Sequence, residues 1–150
     1  MHVYAWSPNL TSDRAAEEDV NFVESKEEIL KISDVITLHL VSGPSTKGLI
    51  TSSDFSTMKS TALLINTSRA ALIEEGALVN ALTANKIAGA AIDVYEEEPL
   101  NPESDYRHCR NLLATPHLGY VSDSNYVTYF TQAIENIDSW IKGSAIRKLN

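Results

Sequence analysis

Short β-type runs alternate with helical patterns along most of the chain, and this alternation restricts the possible folds more than any other feature. Two of the runs, "DVITLHL" (34–40) and "TALLINT" (61–67), are apolar at successive positions. Runs of that kind are typical of parallel strands that helices cover on both faces. The repeated β-then-α order therefore predicts an α/β fold, a doubly wound parallel sheet with right-handed crossovers.

The same patterns predict the positions of the individual elements. Strands are expected at Val3–Trp6, Val20–Val23, Val35–Leu40, Ala62–Asn66, Ala88–Val94 and Leu112–Ala114. Helices are expected at Asp13–Glu18, Lys26–Ile32, Ser53–Met58, Glu74–Thr83 and Asp123–Lys142. Thr51 and Asp54 form a start that resembles a capping box for the third of these helices.

Charge and composition exclude several classes of partner. The 150 residues carry a net charge of -8, whereas a phosphate backbone or an anionic membrane surface requires a basic face. No apolar run reaches the roughly 18 residues of a membrane span, and "MHVYAWSPNL" lacks the features of a secretion signal. Cys109 is the single cysteine, and no Cys/His cluster has zinc spacing. We therefore expect a cytoplasmic chain without nucleic-acid, membrane or metal partners.

Polar residues, and positions that could line a cofactor, follow directly after several of the expected strands. Arg69 follows "ALLINTS", Asp93 ends "IAGAAID", and His117 follows "NLLATP". Leu40 ends "DVITLHL" and Ser7 follows "VYAW". Ligands of an open α/β sheet bind beyond the carboxyl ends of its strands. These five positions therefore predict a ligand site at that edge of the sheet.

Three side chains form a set that could act on one substrate. Arg69 can hold a carboxylate with two parallel hydrogen bonds. His117, between Pro116 and Gly119, can exchange a proton near neutral pH. Glu98 differs from the two acids before it because a proline follows it and restricts its backbone. A carboxylate that faces a histidine favours the imidazolium and fixes which ring nitrogen carries a proton.

Each of these residues also has an ordinary structural interpretation. His117 could bond a nearby carbonyl, Arg69 could lie on the surface or pair with Glu74 or Glu75, and Asp93 could cap the next segment. Taken together, however, an anion clamp, an acid–base histidine and a carboxylate indicate interconversion of an alcohol and a ketone. That reaction needs a hydride carrier, which side chains cannot supply, so a nicotinamide cofactor is expected.

Four stretches resemble the D-isomer-specific 2-hydroxyacid dehydrogenases. They are "SDVITLHLVSGPSTKGLI", "MKSTALLINTSRAALIEEGALVNAL", "KIAGAAIDVYEEEPL" and "NLLATPHLGY", and they cover most of residues 33–120 in the family's order. The resemblance implies a Rossmann-like NAD(P)-binding domain. It further implies hydride transfer between NAD or NADP and a small 2-hydroxy or 2-keto acid, and a homodimer formed through the cofactor domain.

The resemblance also assigns roles to single residues. It implies that Arg69 binds the substrate, that Arg69, Glu98 and His117 are the catalytic set, and that Asp93 lies near the nicotinamide amide. The positions that would line the cofactor are Ser7, Leu40, Thr67, Ser68, Arg69, Asp93, His117 and Gly119.

The chain departs from the family pattern at three single positions. Ala70 stands where glycine is common, and Val41 replaces a proline that usually follows the "LHL"-type segment. Ser7 stands where NAD-selective members carry an acid, and without that acid nothing repels a 2′-phosphate. The nearest arginine, Arg14, is not beside Ser7, so the sequence leaves the choice between NAD and NADP open.

The family's G-x-G-x-x-G turn and its substrate domain are both absent from this sequence. We expect residues 1–120 to form a partial cofactor domain without its central first strand. Residues 121–150 are expected to form a C-terminal helix that packs toward the missing substrate domain. Val3–Trp6 and Val35–Leu40 would each keep an unpaired edge, so the isolated chain is expected to be unstable, rearranged or associated, with little activity. The alternative is a non-catalytic nucleotide-binding remnant or association module on the same scaffold.

Overall fold

The computed structural model describes residues 1–149, and strands alternate with helices along them. The strands are β1 (Tyr4–Ala5), β2 (Asn21–Phe22), β3 (Val35–Leu38), β4 (Leu63–Asn66), β5 (Gly89–Ile92) and β6 (Leu112–Ala114). The α-helices are α1 (Ser12–Glu17), α2 (Lys26–Ile32), α3 (Ala77–Thr83) and α4 (Asp123–Ile141). Short 3₁₀ helices lie at Asp54–Ser56, Ala70–Leu72 and Asp105–His108.

The strands pair in parallel and form two sheets. β1 pairs with β2, and the larger sheet has the order β3–β4–β5–β6. In the larger sheet the register aligns Ile36, Leu64, Ala90 and Leu112. Within residues 1–149, β1 pairs with no strand but β2, and β3 with no strand but β4. The predicted α/β class with a parallel sheet is confirmed, and within residues 1–149 the strands predicted at Val3–Trp6 and Val35–Leu40 each have one unpaired edge, as expected.

The hydrophobic core lies on one face of the larger sheet. Alternate strand residues point into it and pack against side chains of α2 and α3, and its largest fully buried members include Leu30, Phe55, Leu64, Leu72, Leu78 and Ile87. On the opposite face Val35, Leu63 and Leu113 are 48%, 45% and 66% exposed. The expectation of burial on both faces is therefore wrong for these three residues, because α2 and α3 contribute their buried side chains to the same core.

Serine side chains cap the starts of two helices. Ser25 Oγ accepts a hydrogen bond from the amide of Glu28 at 3.1 Å before α2, and Ser122 Oγ accepts one from the amide of Asn125 at 3.3 Å before α4. Such caps satisfy amide groups that have no partner inside the helix. Both helices consequently begin where the sequence predicts.

The segment Ser53–Met58, predicted as an α-helix, forms only a short 3₁₀ turn. The carboxylate of Asp54 accepts a hydrogen bond from the amide of Thr51 at 2.7 Å and pairs with Lys26 Nζ at 2.6 Å. The Thr51–Asp54 contact is one half of the predicted capping box. This single turn already buries both apolar side chains of the segment, which are 0% and 6% exposed. Its remaining serines and threonines favour turns over helix interior.

The chain divides into two compact units, Met1–His117 and the residues from Leu118 onward. In the second unit, α4 carries an exposed apolar stripe made up of Tyr126, Val127, Phe130, Ile134, Ile137, Trp140 and Ile141. The expectation that this helix packs toward a substrate domain stays a prediction. Among residues 1–149, no helix has the length and apolar character needed to cross a bilayer.

Candidate active site

Several of the predicted site residues follow the carboxyl ends of adjacent parallel strands. Arg69 follows β4, Asp93 directly follows β5, and His117 follows β6. Leu40 follows β3 and packs, partly buried, against the core. The parallel pairing places these strand ends at one edge of the larger sheet, where open α/β folds bind ligands.

His117 and Glu98 form a hydrogen bond although they are 19 residues apart, with Nδ1 and Oε2 separated by 2.6 Å. An ionised carboxylate can only accept hydrogen bonds, so Nδ1 carries a proton. Nε2 is then the ring nitrogen that can exchange a proton with a ligand. The two side chains are 35% and 36% exposed, so a small molecule can reach them.

The loop after β5 holds the Glu98 carboxylate in place. Its Oε1 accepts a hydrogen bond from the amide of Tyr95 at 2.9 Å, and the Glu98–Pro99 peptide bond is cis. The hydrogen bond from His117, then that from the Tyr95 amide, and the positive charges of His117 and Arg69 lower the pKa of Glu98. Because the pKa is lowered on folding, ionised Glu98 stabilises the fold at neutral pH. That stabilisation is lost as the pH falls below the ordinary value of 4.5 and through the lowered one.

The backbone of His117 is left-handed, with φ of 55°. Its amide donates to the carbonyl of Thr115 at 3.1 Å, which closes a tight turn just before the imidazole. Few residues other than glycine adopt this conformation, although histidine tolerates it better than most. Backbone conformations of this kind concentrate at functional sites.

Arg69 is exposed, and its Nη1 donates to the carbonyl of Ser68 at 2.6 Å. A guanidinium has five N–H donors, so this bond leaves enough of them for a bidentate carboxylate. The positive charge of Arg69 is one of the influences that lower the pKa of the Glu98 carboxyl. The alternative pairing with Glu74 or Glu75 does not occur among the ion pairs of residues 1–149.

Asn66, which sequence analysis missed, shapes the turn that presents Arg69. Its side chain is 1% exposed. Nδ2 donates to the carbonyl of Arg69 at 2.9 Å, and Oδ1 accepts from the amide of Ser68 at 3.1 Å. The signal that could have revealed it is a polar amide at the last position of an otherwise apolar strand.

Replacement of Asn66 by alanine should lower the free energy of unfolding by about 1–3 kcal/mol, because the Ser68 amide and the Arg69 carbonyl lose their buried partner. Urea denaturation followed by circular dichroism measures the change. Asn80→Ala is the matched control, since Asn80 is exposed on α3 and alanine favours a helix. Equal stabilities for the two variants would contradict the structural role of Asn66.

Asp93 is a buried carboxylate held by a second residue that sequence analysis missed, Thr115. Asp93 is 4% exposed, and Thr115 Oγ1 donates to its Oδ1 at 2.6 Å. The Asp93 amide also donates to the carbonyl of Asn66 at 3.0 Å, which ties the ends of β4 and β5 together. Asp93 is therefore an acceptor of fixed direction, suited to the N–H groups of a ligand amide.

Of the remaining predicted residues, two precede Arg69 directly and two lie in other parts of the chain. Thr67 is exposed and Ser68 is half-buried in the turn that follows β4. Ser7 follows β1 in the smaller sheet, where its carbonyl accepts a hydrogen bond from the amide of Leu10 at 3.2 Å. Gly119 lies in the second unit. Contacts of these residues with a cofactor stay predictions.

A surface cavity of about 350 Å³ is lined by none of the predicted site residues. Its walls include five carboxylates, from Glu75, Glu96, Glu97, Glu103 and Asp105. A carboxylate ligand would be repelled there, so this cavity does not fit an acidic substrate. Across residues 1–149, no cluster of three or more His, Cys, Asp and Glu side chains could hold a metal ion.

Comparison with known proteins relates this chain to one enzyme family. Residues 1–119 match the model of the NAD binding domain of the D-isomer specific 2-hydroxyacid dehydrogenases. A glyoxylate reductase from Aeropyrum pernix is 39% identical over 119 residues, which are 79% of this chain and 36% of that protein. A D-3-phosphoglycerate dehydrogenase from Archaeoglobus fulgidus is 33% identical over 147 residues, which are 98% of this chain and 28% of that protein.

A solved structure shows the same architecture. The phosphoglycerate oxidoreductase from Vibrio cholerae O395 superimposes with a TM-score of 0.87 at 37% sequence identity. The match covers 95% of this chain and 46% of that one. The chain thus spans less than half of the length of each of these three proteins.

Proposed function

Because this chain belongs to the D-isomer specific 2-hydroxyacid dehydrogenase family, we propose that it carries the cofactor-binding and catalytic groups of an oxidoreductase. The reaction is hydride transfer between a nicotinamide cofactor and a small 2-hydroxy or 2-keto acid. The observation that carries the proposal is the 2.6 Å hydrogen bond between His117 Nδ1 and Glu98 Oε2. The positive charge of Arg69 acts on the same carboxylate.

The described residues fit the nicotinamide end of the cofactor better than its diphosphate. The buried Asp93 carboxylate, oriented by Thr115, can accept hydrogen bonds from the amide of a nicotinamide. The six glycines include no two that are separated by a single residue, so the chain lacks a G-x-G-x-x-G turn. Ser7 carries no charge that would repel a 2′-phosphate, and both NAD and NADP are therefore proposed as cofactors.

The three side chains divide the chemistry between them. The cofactor, when bound, supplies or takes up the hydride. Arg69 holds the carboxylate of the substrate through its guanidinium. His117 gives a proton from Nε2 to the keto oxygen during reduction and takes the hydroxyl proton during oxidation. Glu98 keeps Nδ1 protonated and stabilises the imidazolium that forms during oxidation.

A chimera tests this proposal: residues 1–119 replace the matching segment of the Aeropyrum pernix glyoxylate reductase. We expect the chimera to oxidise NADH when glyoxylate, hydroxypyruvate or pyruvate is added, followed at 340 nm by NADH absorbance. The 150-residue chain alone should show little activity because it has no turn that cradles the diphosphate. A parallel assay with NADPH compares the rates of oxidation of the two cofactors by the chimera, which carries Ser7.

Two outcomes would contradict the enzymatic proposal. A chimera that binds NADH but oxidises it with none of the three acids would favour a non-catalytic binding module on the same scaffold. A folded chimera that binds neither NADH nor NADPH would remove the cofactor assignment as well. NADH binding is measured separately, by the fluorescence of the bound dinucleotide.

A further inference from the structure

Tyr95 connects the loop that carries Glu98 with the loop that carries His117. It lies just beyond β5 and is 8% exposed. Its backbone amide donates to Glu98 Oε1 at 2.9 Å, and its hydroxyl donates to the carbonyl of Thr115 at 2.9 Å. One residue therefore hydrogen-bonds both to the carboxylate of the pair and to the turn that precedes its histidine.

The carbonyl that receives the Tyr95 hydroxyl also belongs to the turn before His117. The amide of His117 donates to the same Thr115 oxygen at 3.1 Å. The Thr115 hydroxyl, in turn, holds the carboxylate of Asp93 at 2.6 Å. Thr115 is thus the point at which the tyrosine hydroxyl, the histidine turn and the buried aspartate meet.

We propose that Tyr95 is a positioning residue of the Glu98–His117 pair, whose hydroxyl fixes the histidine loop at hydrogen-bond distance from the carboxylate. Its importance for turnover rests on the proposed function, whereas its effect on the pair does not. Both side chains of the pair are about one-third exposed, so the surrounding protein does not enclose them. Their separation depends instead on hydrogen bonds between the two loops.

The hydroxyl, and not the ring, is the group that makes this connection. The ring packs edge-on against Tyr106, with centroids 5.9 Å apart and planes at 69°, and phenylalanine preserves such a contact. Burial, followed by the nearby carboxylates of Asp93 and Glu98, raises the pKa of Tyr95. The hydroxyl therefore keeps its proton, and donates to Thr115, well above neutral pH.

The test is Tyr95→Phe in the 150-residue chain, with the carboxyl carbon of Glu98 followed by NMR through an acid titration. The charged groups near Tyr95 and Glu98 are Arg69, Asp93, Arg107 and His117, and all of them are unchanged in the variant. Without the hydroxyl the loops separate more readily, and the hydrogen bond that does most to lower the pKa of Glu98 weakens. We expect the titration midpoint of Glu98 to move upward, toward that of an ordinary glutamate.

Tyr106→Phe is the matched control. Tyr106 is the other ring of the same aromatic pair, and its hydroxyl contacts Glu96 Oε1 at 3.3 Å instead of the histidine loop. Its substitution should leave the Glu98 midpoint where the parent chain has it. Thermal unfolding of both variants shows whether either has lost its fold.

Every outcome bears on the proposal. An unchanged Glu98 midpoint in Tyr95→Phe, or an equal shift in both variants, would overturn it. If Glu98 of the unsubstituted chain titrates like any exposed glutamate, the proposal loses its premise. If Tyr95→Phe unfolds and Tyr106→Phe does not, the hydroxyl is needed for the whole fold, and the proposal that it positions the Glu98–His117 pair is overturned. Since none of these measurements needs turnover, failure of the dehydrogenase proposal is seen separately, in the chimera assay.

Discussion

Alanine in place of His117 should lower the turnover number of the chimera by about 10²- to 10⁴-fold, the contribution expected of a general acid–base group. In the proposed set, only the imidazole can both give and take a proton near neutral pH. Glu98 holds its Nδ1 at 2.6 Å, so loss of the ring leaves the keto oxygen without its proton donor. NADH binding should change little, and the rate of NADH oxidation at saturating substrate measures the effect.

Two further variants separate the chemistry of His117 from its backbone. The residue has a φ of 55°, which alanine adopts less readily, so His117→Ala could strain the turn. Asparagine tolerates this conformation but does not titrate near neutral pH, and His117→Asn should be as inactive as the alanine variant. His108→Ala removes an exposed histidine and should retain the parent rate. Full activity in His117→Asn would show that the backbone, and not the imidazole, matters.

Arg69→Ala should raise the KM for the keto acid on the order of 10²-fold or more, with a smaller effect on NADH binding. A bidentate carboxylate contact comprises two charge-assisted hydrogen bonds, each worth about 1.5–3 kcal/mol, and about 1.4 kcal/mol corresponds to a tenfold change in affinity. Initial rates of NADH oxidation over a range of glyoxylate concentrations give KM and kcat separately.

Two further variants serve as controls for the Arg69→Ala experiment. Arg69→Lys keeps the charge but loses the planar fork, so it should recover only part of the substrate affinity. Arg110→Ala removes an exposed arginine before β6 and should leave KM unchanged. If Arg69→Ala also leaves KM where the parent chimera has it, the carboxylate clamp is assigned to the wrong residue.

The order of strands and helices could be predicted because it depends on local patterns. Apolar runs at Val35–Leu38 and Leu63–Asn66 mark strands wherever they lie in space, and a serine before Lys26 or Asp123 caps a helix through its own neighbours. The rule that ligands gather beyond parallel strands then identified Arg69, Asp93 and His117 as candidates.

Where prediction failed, packing overrode a local pattern. The segment Ser53–Met58 has a helical spacing, but Asp54 turns back to Thr51 and Lys26, and the helix stops after one turn. Leu63 belongs to an apolar run, yet it is 45% exposed because the core lies on the other face of its strand. The contact with Lys26 and the exposure of Leu63 cannot be inferred from the neighbouring residues alone.

Glu98 illustrates what the sequence and the tertiary structure each contribute. The proline that follows Glu98 distinguished it from Glu96 and Glu97 in the sequence, and a resemblance to known enzymes suggested its role. The hydrogen bonds from the Tyr95 amide and from His117 that orient its carboxylate are visible only in the structure.

By itself the sequence determined the α/β class, the order of its elements and which polar residues end its strands, because two- and 3.6-residue periodicities act over short distances. The tertiary structure alone decided which of those residues meet. Pairing of β5 with β6 brings the loops of Glu98 and His117 together across 19 residues, and Tyr95 reaches Thr115 across 20. Contacts between residues so far apart follow from the register of the sheet and the packing of its loops, which no local pattern encodes.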